Sequence, residues 1–404
     1  MGNVSTEWIL IILGAVIVVS YLFSIISNYI KVPSVLLLLG AGILLRQIDD
    51  TQGWQLPISE KSTELFGTTG IIMIVLEAGL DLKLGLDKIK LISRSFFAAF
   101  FILILSVTAV STALYYWLHE PVRSCIVYAI PLSIMSSSIV IPSLHHLSRA
   151  KKEFLVYEAS FSDILGIIFF NYFIGSEILS AHALGNFFLG ILIAIILSVI
   201  FSALLFIILT KTTMNVKFFL VFALLIILYE GGKLMNLPSL LIILFFGLLM
   251  NNWQLIRLPK IEALFSKEKV GEATHLLHSI TAESSFLIRT FFFLLFGYSI
   301  NLGAIASSSI IWIGSIIVVI LLIIRFLYLR YFLKESVYPE VCFIPRGLIT
   351  ILLFYKIPAS YNPEKFQGGV LFFVVIVTSF IMMLGMIFYK KKETEFIEEE
   401  LMKN

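Results

Sequence analysis

Stretches of about 20 apolar residues recur from one end of this chain to the other, and that recurrence limits the fold more than any other feature. A helix rises about 1.5 Å per residue, so about 20 residues cross the hydrocarbon core of a bilayer. A soluble domain needs a charged shell. Here 59% of the 404 residues are hydrophobic and 14% are charged, which leaves too little polar surface for one. The spacing predicts thirteen spans, at 8–27, 32–46, 63–82, 95–117, 124–144, 153–175, 183–209, 217–232, 237–251, 284–301, 309–329, 338–356 and 367–389. The first has no basic leader and no small-residue cleavage site, so it reads as a retained span.

An odd number of crossings puts the termini on opposite sides, and the positive-inside rule tests the count. With the N-terminus outside, the inner segments hold twenty of the 29 Lys and Arg residues, among them Lys83, Lys88, Lys90 and Arg94, then Arg149, Lys151 and Lys152, then Lys390, Lys391 and Lys392. The outer segments hold Arg46, Lys61, Arg123, Lys233, Lys356 and Lys365. One miscounted span would invert the alternation from that point on. The bias therefore points to a multi-pass protein of the cell (inner) membrane with a cytoplasmic C-terminus. The longest inner loop, 251–283, mixes both charge signs with apolar residues, and an amphipathic segment along the membrane surface is expected there. The tail from Lys390 is too short for a nucleotide-binding domain. The net charge of +3 gives no reason to expect a nucleic-acid partner. Cys125 and Cys342 lie in apolar runs and read as buried free thiols.

Two halves of the chain resemble each other in order. Pro33, Ser34 and Gly42 in span two match Pro238, Ser239 and Gly247 in span nine; Gly79 in span three matches Gly297 in span ten, and Pro131 in span five matches Pro345 in span twelve. Six crossings plus the seventh turn the second half upside down, which is an inverted repeat. The expected fold is an all-α polytopic membrane protein of about 13 helices in two inverted six-helix repeats with two broken, crossing helices. The breaks fall in spans five and twelve, at Pro131 and Pro345. Proline removes a backbone donor, and lipid cannot satisfy the freed carbonyls, so unwound backbone must line a cavity or be buried in protein. The expected organisation assigns 1–94 to the scaffold helices of the first repeat and 95–180 to its ion-transporting core. A linker helix follows at 181–215, then scaffold helices at 216–302, core helices at 303–390 and a tail at 391–404.

A charge near the bilayer centre is costly, so each ionisable group there needs a partner or a function. Asp163 stands near the middle of span six, with Glu158 on the same helix, Glu77 in span three, Arg325 in span eleven and Arg346 in span twelve. At about 100° per residue, Glu158 and Asp163 point about 140° apart, whereas Ser160 lies about 60° from Asp163. Ser160 can therefore share a cavity with Asp163, and Glu158 should face another helix, with Arg346 as its ion-pair partner. Asp163 has no evident basic partner unless Arg325 reaches it. Burial favours the protonated form of a carboxyl and a bound cation favours the ionised one, so one carboxylate can hold either ion in turn. A small hard cation takes several oxygens. Candidates are Asp163, Ser160, Ser162, Ser137, Ser138 and freed carbonyls of span five, with Glu77 as either a further ligand or a rim residue. Glu283 and Arg289 are close enough in sequence to pair. His119, His145, His146 and His182 fall in loops, and His275 and His278 in the surface segment. No phosphate loop, nucleophile triad or metal cluster is present, so no enzyme activity and no cofactor are expected beyond the transported monovalent cation and proton.

These residues resemble the monovalent cation/proton antiporter superfamily, in particular its sodium/proton exchangers of the NhaP type. The points of resemblance are Pro33 to Gly42, Glu77-Ala-Gly-Leu-Asp81, Glu158 to Asp163, Phe292 to Gly297 and Pro345-Arg-Gly347. The resemblance implies that Glu158 pairs with Arg346, that Asp163 binds the ion, and that a homodimer holds spans 4–6 and 11–13 as a moving core. Ser162 stands where the family usually has Asn or Asp, Ala159 where many exchangers have serine, and Ser136-Ser-Ser138 replaces a Thr-Asp-Pro type motif. These departures leave the choice among sodium, potassium and lithium open. A gated cation channel and a sodium-coupled organic-anion symporter are the alternatives. The first should show a filter-like loop and the second a larger polar pocket, and the sequence offers neither.

Overall fold

The computed structural model describes residues 6–30, 32–52, 60–85, 88–175, 181–211, 217–235, 237–255, 267–300, 307–333, 337–361, 366 and 368–389. Among them the regular structure is helical throughout. The tail from Lys390 and most of the inner loop before 267 lie outside the described residues, as do the side chains of His145, His146 and His182. In chain order the α-helices are α1 (Thr6–Ile30), α2 (Ser34–Gln52), α3 (Glu60–Asp81), α4 (Ile89–Leu118), α5 (Val122–Ser133), α6 (Ser137–Val140) and α7 (Arg149–Ile174). They continue with α8 (Ala181–Lys211), α9 (Lys217–Leu234), α10 (Ser239–Asn251), α11 (Lys267–Ser299), α12 (Ser308–Leu327), α13 (Leu348–Tyr355) and α14 (Gly368–Phe388).

Each expected span coincides with a helical element, and the protein is an integral multi-pass membrane protein. Five helical stretches among the described residues are long and apolar enough to cross a bilayer, at Ile89–Leu118, Val122–Leu144, Thr274–Ser299, Ser308–Leu333 and Gly368–Phe388. One expectation needs correcting. Residues 267–283 do not form a separate surface segment; they are the first half of α11. Leu277, Thr281 and Ser285 recur every fourth residue and are all buried, so they form an inward stripe along one helix. The charges around them disguise that stripe in the sequence.

The chain divides into two compact units. One comprises Met1–Ser59, Lys90–Ile174 and Thr290–Asn404; the other comprises Glu60–Ile89 and Gly175–Arg289. In the first unit, α5 and α6 lie against α7, α13 against α5, α12 against α14, and α2 against α1 and α14. In the second, α10 lies against α3, α8 and α9.

Each unit contains one close helix crossing built from glycine. In the second unit, a Cβ added to Gly79 would meet the Leu244 carbonyl at 2.6 Å, and one added to Gly247 would meet the Leu76 carbonyl at 2.8 Å. In the first unit, Gly42 faces the Leu294 carbonyl and, at 2.8 Å, the Tyr298 nitrogen; Gly297 faces the Leu39 carbonyl and the Gly42 Cα. Without a hydrophobic drive between helices in lipid, small residues let backbones approach and gain dispersion contact. The sequence matches Gly42 to Gly247 and Gly79 to Gly297, and each glycine meets the counterpart of the other match.

Both expected helix breaks are present. Pro131 lies in the last turn of α5; residues 134–136 are extended, and the short α6 follows. In span twelve a short 3-10 turn at Glu340–Cys342 leads into non-helical residues 343–347 before α13 begins. The two non-helical segments are joined by the Ser136 N–H, which donates to the Pro345 carbonyl at 3.0 Å.

Candidate functional site

Unwound backbone inside a membrane protein leaves donors and acceptors that must be satisfied by protein. Around the break after α5, the donors on three successive residues are taken up in three ways. The Met135 N–H donates to the Ser162 hydroxyl at 2.9 Å, Ser136 to Pro345, and the Ser137 N–H to Oδ2 of Asp163 at 3.1 Å. Gly166, one turn beyond Asp163, has the Ile134 side chain where a Cβ would stand, so α7 meets the break closely there. Asp163 is thereby positioned by helix α7 and held by one backbone amide.

Arg346 serves the carbonyls. Its Nε donates to the Leu132 carbonyl at 2.6 Å and its Nη1 to the Ile344 carbonyl at 3.1 Å; its own N–H donates to the Thr378 hydroxyl of α14 at 3.1 Å. Glu158 is not its partner, which corrects the expected ion pair. Glu158 is instead held by Arg325, whose Nη1 and Nη2 reach the two carboxylate oxygens at 2.8 and 2.9 Å. The Arg325 Nε donates to the Glu340 carbonyl at 2.6 Å, and the Glu340 side chain receives Lys151 at 2.7 and 2.9 Å. The reason is one of reach and demand. The planar fork of Arg325 meets Glu158 squarely, while Arg346 sits within the break and satisfies its orphaned carbonyls.

Glu77 is also paired. Both its oxygens accept from Arg289, at 2.9 and 3.1 Å, within the second unit. It is therefore neither an open ligand nor a bare rim acid, and Arg289 is taken by Glu77 rather than by Glu283. One turn on, Asp81 meets His278 at 2.8 Å, so that histidine is half-buried against an acid and not simply solvated.

Asp163 differs from both glutamates. It is 1% exposed, and its Oδ1 has no hydrogen-bond partner among the described residues. The Ser160 hydroxyl, on the same helix and also 1% exposed, has none either. An unpartnered carboxylate oxygen costs free energy unless a proton or a cation meets it. The other serines have separate occupations. Ser162 caps Met135, Ser137 contributes its amide, and Ser138 bonds the Ser136 hydroxyl at 2.9 Å. Sequence reading missed Thr378, Glu340 and Lys151. Glu340 and Lys151 fall at the ends of spans or in the loop between them, and Thr378 stands in an apolar run with nothing to mark it.

The comparisons with known proteins concern the family and the fold. The family model described as "Sodium/hydrogen exchanger, transmembrane" matches residues 14–389. The structure of the sodium proton antiporter MjNhaP1 from Methanocaldococcus jannaschii at pH 8 superposes with a TM-score of 0.71 at 17% identity, covering 94% of this chain and 100% of that one. An electron-microscopy structure of the same antiporter gives a TM-score of 0.64 at 21% identity, covering 96% and 100%. At these identities the likeness shows a shared fold. No curated protein matches the sequence significantly.

Proposed function

Because the chain belongs to the sodium/hydrogen exchanger family, whose members are transporters and not enzymes, we propose that it exchanges sodium for protons at the carboxyl of Asp163. The observation that carries this reading is the unpartnered Oδ1 of Asp163, with the unpartnered hydroxyl of Ser160 three residues earlier on the same helix. The other two buried acids considered for the site are closed by arginines on both oxygens. A carboxyl shielded from water holds a proton until a cation with suitable oxygens displaces it, and the two ions compete for one place. With one open carboxylate, one proton is exchanged for each monovalent cation. The family description names sodium, which supports sodium as the cargo.

Alternating access requires one part of the protein to move against another. The core comprises 95–180 and 303–390, where both helix breaks lie, and 1–94 and 216–302 form the scaffold of a homodimer. The two halves are inverted repeats, supported by the reciprocal glycine crossings of Gly42 with Gly297 and Gly79 with Gly247. The N-terminus lies outside the cell membrane and the C-terminus in the cytoplasm, supported by the distribution of Lys and Arg. The physiological role is control of internal pH and cation content.

The test is a pH-gradient assay in proteoliposomes with sodium, lithium or potassium. Wild-type protein is expected to dissipate the gradient on addition of sodium. Asp163→Asn is expected to abolish that response while eluting as a folded protein. Normal exchange by the variant would rule out the mechanism.

A further inference from the structure

We infer that Asp49, together with Tyr298, forms a second site for an alkali cation, on the α2–α11 pair and apart from Asp163. Asp49 stands in the last turn of α2 and is 7% exposed. Its Oδ2 accepts the phenol of Tyr298, in the last turn of α11, while its Oδ1 is buried without a partner among the described residues. The nearest guanidinium serves other groups. Arg46 directs Nε to both oxygens of the exposed Asp50 at 3.1 Å, lies 5.4 Å from the centroid of the Tyr298 ring, and reaches the Tyr298 carbonyl at 3.5 Å.

The charge around Asp49 is unbalanced. Two helices end there, and each helix C-terminus carries roughly half a negative charge. Among the described residues, Asp49 and Asp50 add two carboxyls to those ends and Arg46 adds one guanidinium. The segments that follow the helices, 53–59 and 301–306, contain no lysine or arginine, and α14, which lies against α2, contains no ionisable side chain.

The matching crossing in the other unit shows that an acid is not needed to join such a pair. There Asn252, a neutral amide, donates to the Leu82 carbonyl at 2.7 Å and accepts from the Leu84 N–H at 2.6 Å, tying the ends of α3 and α10. An ionisable group with a free oxygen at the ends of α2 and α11 therefore has a further use. A hard monovalent cation fits the available chemistry, which is a carboxylate oxygen, a phenol oxygen and the negative ends of two helices.

The choice of an alkali cation rests on the exchange proposed above, and the experiment separates the two sites. The melting temperature of purified full-length protein is measured against sodium, lithium and potassium chloride, with choline chloride holding ionic strength constant. In Asp163→Asn, where the transport carboxylate is gone, a saturable rise of a few degrees should remain. In the double variant Asp163→Asn/Asp49→Asn the rise should vanish. Tyr298→Phe in the Asp163→Asn background keeps the carboxylate and should move the half-saturating concentration several-fold. The site is overturned if Asp163→Asn shows no cation-specific rise, if the double variant keeps it, or if Tyr298→Phe leaves the midpoint unchanged. Failure of the exchange mechanism would show separately, as transport surviving in Asp163→Asn.

Discussion

Glu77 in the second unit and Asp163 in the first are both acids buried among apolar helices, yet their surroundings have opposite designs. Glu77 gives both oxygens to Arg289, and side-chain exposure is 11% and 19% for the two partners. Asp163 has a single backbone donor and an oxygen left open. Glu158, five residues before Asp163 on α7, follows the Glu77 pattern more tightly, with Arg325 at 2% exposure and Glu158 at 1%. A fixed guanidinium fills a carboxylate permanently and makes it part of the framework. A carboxylate without one can exchange its companion. The contrast within α7 comes from helix geometry, because the two acids face different neighbours.

The largest effect on stability should come from breaking the tightest pair. Arg325→Ala is expected to cost about 3–5 kcal/mol of unfolding free energy, because it strands a buried carboxylate. The double variant Glu158→Gln/Arg325→Met should recover much of that loss. Unfolding titrations in mixed micelles measure both, and equal losses in single and double variants would show that the pair is not what matters. Arg289→Ala removes a pair nearer to water, so about 2–3 kcal/mol is expected for the stranded charge; a cost exceeding that of Arg325→Ala would reverse the ranking of the two regions.

Ser162→Ala leaves the Met135 N–H without an acceptor and should cost about 1–2 kcal/mol. If it instead weakens sodium affinity without touching stability, Ser162 is a ligand and not a cap. Ser160→Ala should do the reverse. Its hydroxyl has no partner to lose, so the melting temperature should hold while the sodium concentration for half-maximal exchange rises several-fold. A destabilised Ser160→Ala with unchanged sodium dependence would remove that residue from the site.

Much of this was legible in the chain. Span positions follow from apolar length, and both breaks are marked by prolines inside apolar runs, since proline withdraws a donor whatever its surroundings. Asp163 stood out because a lone acid in mid-span is expensive. What failed was partnership. Nothing local distinguishes Arg325 from Arg346 as the mate of Glu158, because the choice depends on which guanidinium the folded helices bring within 3 Å and which is claimed by orphaned carbonyls. The serines show the same limit. Ser137 offers Asp163 its backbone amide, while the Ser162 hydroxyl turns to Met135 instead, and residue type alone encodes neither choice. The first half of α11 is hard to read because its buried stripe is interrupted by charges and because His278 meets Asp81 of α3, which lies far away in sequence.

Proton release during cation binding tests the two-ion carboxyl most directly. Sodium is titrated into detergent-solubilised protein in weak buffer at a pH low enough for Asp163 to start protonated, and released protons are counted with an indicator dye. The expected result is about one proton per sodium bound in the wild-type protein and none in Asp163→Asn. Sodium binding without proton release across the acidic range, or equal release by the variant, would contradict it.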